Sequence, residues 1–248
     1  MDAIREYIGN VRRILDDVMQ TQAEAMKEAA RLIAEATLSA RNVFAFGCSH
    51  AGLVTLELYY RTGGMATINP VRAPGLNLDV DPATMTSQME RLNDYGRFII
   101  DALPLHENDV IIIHSVSGRN TVTIDAAIRA REKGAKVIAL TNLNTSGTVS
   151  SRHPSGKKLF EVADLVIDNR GARGDASLDI EGVPEKVAPT STAIGAAILN
   201  AVVAQAVANV VAAGGVAPVF ISANLDEGDA HNARMLEQYK EHIFYMQK

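Results

Sequence analysis

The sequence predicts an α/β protein in which a parallel β-sheet lies between layers of helices and is preceded by a helical extension. After residue 41, short and almost wholly apolar runs alternate with stretches of helical periodicity. Strands that are covered on both faces have this composition, because neither face meets water. Before residue 41, apolar residues recur at helical spacing from Ile4 to Ile33. We therefore expect a helical extension over residues 1–40 and one α/β domain over residues 41–248.

Five strands are predicted in this domain. The apolar runs that indicate them are residues 42–46, 65–68, 110–114, 136–140 and 163–167. Right-handed crossovers bring the carboxyl ends of parallel strands to one edge of the sheet, where ligands bind in proteins of this class. The loops that follow the first, third and fourth strands are residues 47–52, 115–121 and 141–158. The candidate site is expected where these loops meet.

Composition and charge exclude several classes of partner. The net charge is -5 and the pI about 5.7, so we expect no binding to nucleic acid or to an anionic membrane surface. Cys48 is the only cysteine and cannot form an internal disulfide. The N-terminus begins with charged residues and has no apolar core of a signal peptide. These features predict a cytoplasmic protein.

One long segment without charge lies between Lys186 and Asp226. Residues 193–211 are long enough to cross a bilayer, but three amide side chains interrupt them. A helix that is buried in the core or in a subunit interface explains the segment better than a membrane span does. Together with the apolar stripe of residues 1–40, this helix predicts a homodimer or homotetramer with the active site near the interface.

The sequence HSVSGRN, residues 114–120, follows the third predicted strand and precedes a helix. Ser115, Ser117 and Asn120 surround one glycine. Their hydroxyl and amide groups, with the free N–H groups and dipole of a helix N-terminus, form a cradle suited to one phosphate. The alternative is that these residues only cap the helix, since Ser and Asn are good N-caps. Neither GxGxxG nor GxxxxGK[ST] is present, which argues against a dinucleotide or P-loop site.

Residues 110–142 resemble the phosphate-binding half of the sugar isomerase (SIS) domain, in which a strand ends in a Ser-x-Ser-Gly turn. Gly47-Cys48-Ser49 is similar to the glycine–serine turn of that family, and Glu57-Leu58-Tyr59-Tyr60-Arg61 is similar to a Glu-Leu-x-x-Arg motif of phosphoheptose isomerases. The order of the motifs is closest to the UPF0309-like bacterial subfamily of phosphosugar-binding proteins. The resemblance implies a three-layer α-β-α sandwich with a five-stranded parallel sheet.

The resemblance also implies roles for single side chains. Those expected to hold the substrate phosphate are Ser49, Ser115, Ser117, Gly118, Arg119 and Asn120. Glu57 matches the catalytic base of phosphoheptose isomerases. The histidine that those enzymes carry in the helix corresponding to residues 193–211 is absent, so His231 and His50 are the candidate partners of Glu57. We expect neither a metal nor an organic cofactor, because isomerisation of a sugar phosphate needs only proton transfer.

The expected activity is the interconversion of an aldose phosphate and a ketose phosphate. Two alternatives remain open: a lyase similar to the etherases of N-acetylmuramic acid 6-phosphate, and a non-enzymatic phosphosugar sensor. Arg152, His153 and Lys157 lie in the loop after the fourth predicted strand. Their charges either steer an anionic substrate or are simply solvated.

Overall fold

A five-stranded parallel sheet forms the centre of the computed structural model, which describes residues 2–246. Its strands are β1 (Val43–Gly47), β2 (Ile68–Val71), β3 (Val110–His114), β4 (Lys136–Thr141) and β5 (Leu165–Asp168). Their order in the sheet is β2-β1-β3-β4-β5. A small antiparallel pair, β6 (Ala176–Leu178) and β7 (Val187–Pro189), lies outside this sheet. The predicted α/β class and the five-stranded parallel sheet are confirmed.

Helices cover both faces of the sheet. They are α1 (Ala3–Leu38), α2 (His50–Leu56), α3 (Met85–Met89), α4 (Tyr95–Asp101), α5 (Thr121–Glu132), α6 (Leu143–Ser146), α7 (Leu159–Val162), α8 (Ser191–Ala212) and α9 (Gly228–Gln238), followed by 3₁₀ turns at Lys240–His242 and Phe244–Met246. One core joins α1 and α8 to one face through residues such as Ile33 and Ile198. The other joins α4 and α5 to the opposite face through Ile100 and Val122. The expected three-layer sandwich is therefore present.

The N-terminal region is helical, as predicted, and forms one helix of 36 residues. The Asp2 side chain caps it by accepting a hydrogen bond from the Arg5 N–H. Its buried stripe includes Met26, Ala30 and Ile33, and this stripe packs into the same core as α8. The helix thus supplies part of one layer of the sandwich.

The second strand lies three residues later than its apolar run indicated. Residues 65–68 were the predicted strand, but β2 covers residues 68–71, and Met65 forms only an isolated bridge with Val219. β2 is an edge strand and has no neighbouring strand on its outer side. Pro70 is tolerated there, because its missing N–H is not needed for a hydrogen bond on that side. The prediction placed the end of the strand at Pro70 because proline is rare in central strands.

Helix α8 is long and apolar enough to span a membrane by length and composition, yet 44% of its most apolar window is buried against the protein. Its buried face includes Ile194, Ile198 and Val202. Within the described chain, the helix is buried on this one face only. The opposite face is exposed and consists mainly of alanine, with Val211 at its end.

Candidate functional site

The turns that follow β1 and β3 lie side by side at the carboxyl edge of the sheet. Gly47 and His114, the last residues of the two strands, are direct partners in the parallel ladder. Gly47 is required at this point, because a Cβ there would lie 2.6 Å from the Ala51 carbonyl oxygen in the first turn of α2. The register therefore brings the turns that contain Ser49 and Ser115 to the same edge of the sheet.

The turn of residues 115–120 is held by contacts with the end of β4. Gly118 has a φ of +57°, and a Cβ there would lie 2.9 Å from the Ser146 hydroxyl oxygen. The Gly118 N–H donates to the Ser115 hydroxyl oxygen at 3.2 Å, and the Thr141 hydroxyl donates to the Ser115 carbonyl at 2.7 Å. Within residues 2–246, the backbone N–H groups of Ser117, Arg119 and Asn120 donate no hydrogen bond. These groups are free to bind an anion.

Ser49 has a backbone conformation that non-glycine residues rarely adopt, with φ 54° and ψ -129°. Its N–H donates to the Leu76 carbonyl at 2.7 Å, which holds the turn in place. Backbone strain of this kind costs about 1–3 kcal/mol and is concentrated at ligand sites. The hydroxyl groups of Ser49 and Ser117 form no hydrogen bond with any other described residue, so both are available as donors to a phosphate.

Asn120 occupies the N-cap position of α5, but its side chain does not cap the helix. Its amide nitrogen donates to Glu90 Oε2 at 2.5 Å, and its Oδ1 accepts from Arg152 Nη1 at 2.7 Å. The alternative in which this residue only caps the helix is therefore wrong for Asn120. Its amide instead connects two charged side chains that lie next to the turn.

Three arginines converge on this part of the site. Burial and the nearby charges of Arg119 and Arg91 lower the pKa of Arg152, while Glu90 acts in the opposite direction. Arg119 Nη2 donates to the Ser150 hydroxyl at 3.1 Å, and its Nε is buried without a partner among the described residues. Arg91 and Arg152 act electrostatically on Glu90, and Arg119 and Arg91 act on Arg152. Three positive charges therefore accompany one negative charge here, in a chain of net charge -5. Such a cluster favours an anionic ligand.

Glu90 is the carboxylate that lies next to these arginines. Burial raises its pKa, although the Asn120 hydrogen bond and the charges of Arg91 and Arg152 lower it. The Cys48 thiol, one residue before Ser49, has its pKa raised by burial and by the charge of Glu90. Glu90 therefore lies close to the turn of residues 115–120 and to the turn after β1 that contains Ser49.

The loop of residues 147–158, between α6 and α7, folds onto the cradle. The Arg152 N–H donates to the Arg119 carbonyl at 2.9 Å. His153 Nε2 lies 2.9 Å from Asp125 Oδ1, and its Nδ1 lies 2.7 Å from the Ser155 hydroxyl. Arg152 and His153 are thus fixed by contacts with the site, whereas Lys157 is exposed.

The predicted catalytic residues are divided between two places. His50 begins α2 beside Ser49 and is exposed. Glu57 caps the other end of α2, about 10 Å further along the helix, where its carboxylate pairs with Arg61. His231 lies in α9, with Nε2 donating to the Val219 carbonyl at 3.1 Å. Residues 60–62, which follow α2, and several residues of α9 line a cavity of about 310 Å³, but neither Glu57 nor His231 is among its lining residues.

His231 lies in the first turn of its helix. Helix α9 begins at Gly228, and its N-cap is Glu227. His231 is consequently the fourth residue of the helix. Elsewhere within residues 2–246, no three His, Cys, Asp or Glu side chains are grouped as the ligands of a metal ion would be.

Sequence reasoning missed Glu90 and Arg91, and it left the role of Arg152 open. Glu90 belongs to a stretch of residues 76–93 without clear periodicity. An acidic residue in such a stretch has no pattern that separates it from a solvated one. Only its contacts with the cradle distinguish it.

Comparison with known proteins shows which family the chain resembles. Residues 6–142 match the model of the SIS domain. A UPF0309 protein of Shouchella clausii is 44% identical over 246 residues, which cover 99% of this chain and all of that protein. A phosphoheptose isomerase from Francisella tularensis has a TM-score of 0.53 at 16% identity and covers 83% of this chain and 96% of its own. One from Neisseria gonorrhoeae has a TM-score of 0.52 at 16% identity, over 84% of this chain and 97% of its own. These two structures share the fold.

Proposed function

Because the chain belongs to the SIS-domain family and to its UPF0309 group, we propose that it binds a sugar phosphate at the turn of residues 115–120. The observation that carries this proposal is the set of hydrogen-bond donors without a partner in this turn and at Ser49 in the neighbouring turn. The N–H groups of Ser117, Arg119 and Asn120 and the hydroxyls of Ser49 and Ser117 have no partner among residues 2–246. Their number and the adjoining arginines suit a dianionic phosphate.

We further propose that the protein is an aldose–ketose isomerase that works by proton transfer without a cofactor. The reaction needs an acid–base group beside C1 and C2 of the bound sugar. The family resemblance assigns this role to Glu57, with His231 or His50 as its partner. Among the described residues, neither Glu57 nor His231 forms a hydrogen bond or ion pair with residues 115–120, and we propose that a neighbouring subunit brings them to the cradle.

We propose that the working protein is a cytoplasmic homodimer or homotetramer. Two sets of exposed apolar side chains support this assembly. The exposed face of α8 contains no charged side chain, and Ile4 and Ile8 on α1 are 79% and 53% exposed. Burying such apolar area against a second copy is favourable by about 25 cal/mol per Å². An assembly would also bring residues of two chains to one site.

Binding of a ligand panel tests the first proposal. We expect glucose 6-phosphate and fructose 6-phosphate to raise the Tm, and glucose and fructose to leave it unchanged. Ser117→Ala should weaken the affinity about tenfold or more, because a hydrogen bond to a charged group contributes about 1.5–3 kcal/mol. Calorimetric titration measures this change, with Ser39→Ala, an exposed serine at the end of α1, as the control.

Equal binding of phosphorylated and free sugars would contradict the phosphate site. Binding of a sugar phosphate without any proton exchange at C1 or C2 in deuterated water would contradict the isomerase and favour the sensor. Release of lactate from N-acetylmuramic acid 6-phosphate would favour the lyase.

A further inference from the structure

We infer that Glu90 is the catalytic residue that carries the proton between C1 and C2 of the bound sugar phosphate. The inference rests on the isomerase proposed above and assigns its acid–base group to a different carboxylate from the one that the family resemblance indicates. It requires no second subunit, because Glu90 and the cradle belong to the same chain.

The position of Glu90 is fixed by contacts on two sides. It is the C-cap of α3, and its carbonyl accepts a hydrogen bond from the Val122 N–H in the first turn of α5 at 3.2 Å. Its carboxylate accepts from the Asn120 amide at 2.5 Å through Oε2. The electrostatic effect of Glu90 on Cys48 indicates that the carboxylate also lies near the turn after β1. A phosphate in the cradle would place the attached sugar beside this carboxylate.

The surroundings of Glu90 are those of a general base rather than of a structural ion pair. Within residues 2–246, no Lys, Arg or His nitrogen lies within 4.0 Å of its carboxylate. Burial is the largest influence on its pKa and raises it, which makes the carboxylate a stronger base near neutral pH. Glu57 differs in both respects, since its carboxylate pairs with Arg61 and its side chain is 42% exposed.

The proton transfer balances without any further reactant. The Glu90 carboxylate removes the proton from C2 of an aldose phosphate, and the electrons of that C–H bond form the C1=C2 bond of an enediol as O1 takes up a proton. The Glu90 carboxylic acid then returns its proton to C1, while O2 loses a proton and becomes the ketose carbonyl oxygen. One proton has moved from C2 to C1 and one from O2 to O1, the latter through water. Neither oxidant nor reductant is needed.

The test compares three glutamates of the full-length protein. Glu90→Gln, Glu57→Gln and Glu24→Gln each replace a carboxylate by an amide of the same shape, and Glu24 is an exposed residue of α1 paired with Lys27. Deuterium incorporation at C1 and C2 of aldose and ketose phosphates is followed by NMR, and the Kd of the same sugar phosphates by calorimetry. We expect Glu90→Gln to lower the exchange rate about 10²–10⁴-fold.

The binding measurement separates chemistry from structure. Glu90→Gln should leave the Kd unchanged or tighten it, since a negative charge near the phosphate is removed. Should this variant fold poorly, Glu90→Asp serves as the second variant. It keeps the charge but withdraws the carboxylate by one methylene, and it should bind normally and exchange slowly.

Three results would overturn the inference. Full exchange in Glu90→Gln would contradict the role of Glu90, and so would a loss of exchange that is confined to Glu57→Gln. In both cases the proposal that the protein is an isomerase would remain. Absence of exchange in the wild-type protein with every sugar phosphate would remove the isomerase and the role of Glu90 together.

Discussion

His114 shows how the fold can keep an imidazole neutral. It ends β3 and is 1% exposed. Its Nδ1 lies 3.1 Å from the Ala51 carbonyl, so this nitrogen carries the proton, and Nε2 is buried without a partner among the described residues. Burial lowers the pKa of His114 to about 4, against the raising effects of the Ala51 hydrogen bond and the Asp175 charge. The side chain is therefore uncharged at neutral pH.

This depressed pKa predicts a loss of stability in acid. An unfolded histidine takes up a proton near pH 6.5, whereas the folded one does not until about pH 4, so the stabilisation is complete above pH 6.5 and lost as the pH falls toward 4. The difference amounts to about 3 kcal/mol. In His114→Asn this acid sensitivity should disappear, so its Tm deficit relative to the wild type should shrink by about 5 °C or more between pH 7 and pH 4.5.

Thermal unfolding followed by circular dichroism across this pH range measures the effect. His106→Ala, which removes an exposed imidazole, is the control and should follow the wild-type pH dependence. A constant Tm difference between His114→Asn and the wild type would contradict the assignment of the acid sensitivity to His114.

The loop of residues 147–158 has no regular secondary structure, but contacts with neighbouring residues hold it in position. Its positive charges suggested either steering of a substrate or solvation, and its sequence favoured neither. Folding brings Arg152 to Asn120 and His153 to Asp125. The Asp125 side chain is buried, and its Oδ2 has no hydrogen-bond partner among residues 2–246. Its Oδ1 contacts His153 Nε2, so His153 is the group that pairs with this carboxylate. We infer that His153 positions the loop and, with it, the Arg152 guanidinium.

His153→Ala should weaken phosphate binding without preventing folding. The loop loses its contacts with Asp125 and Ser155, each worth about 0.5–1.5 kcal/mol, and Arg152 becomes less ordered. We expect the Kd of inorganic phosphate and of fructose 6-phosphate to rise about threefold to tenfold. Calorimetric titration measures the change, and Lys157→Ala in the same loop, which removes an exposed side chain, is the comparison. An equal loss of affinity in the two variants would argue against a specific role for His153.

The surface of the whole molecule has an uncharged region that a single chain does not cover. Ala201, Ala204, Ala208 and Val211 are exposed and recur at helical spacing along α8, so they form one continuous face. The other face of the same helix is packed in the core with α1. A helix with a buried face and an uncharged exposed face is what a subunit interface requires.

Ala204→Arg should therefore weaken the proposed homo-oligomer. A charged side chain at the centre of this face would lose its hydration in an interface, which is strongly unfavourable unless it is paired. Light scattering after gel filtration should show a smaller assembly than in the wild type. Ala102→Arg, the same change at an exposed position next to α4 on the opposite side of the sheet, should leave the mass unchanged. An unaltered mass in Ala204→Arg would exclude this face as the interface.

Much of the fold could be predicted because it depends on neighbouring residues. The β3 strand and the turn after it were located correctly, since an apolar run followed by a Ser/Gly turn is a local pattern. The β2 strand was misplaced by three residues, because Met65, at the start of the apolar run, pairs with Val219 as an isolated bridge and not with β1. Most of the proposed cradle residues lie in one short segment, residues 115–120, whereas the acid–base group was expected at Glu57 from resemblance alone.

Local periodicity and turn chemistry were sufficient for the parallel sheet, the helical N-terminal region and the position of the Ser/Gly turn after β3. The charged surroundings of that turn depend on contacts that no local pattern encodes. Glu90 and Asn120 are 30 residues apart, and Arg152 and Asn120 are 32 apart. Burial of a carboxylate and crowding of guanidinium groups exist only after the chain has brought such residues together. The tertiary structure therefore decided which carboxylate accompanies the cradle, because the pKa of an acidic group depends on its neighbours in space.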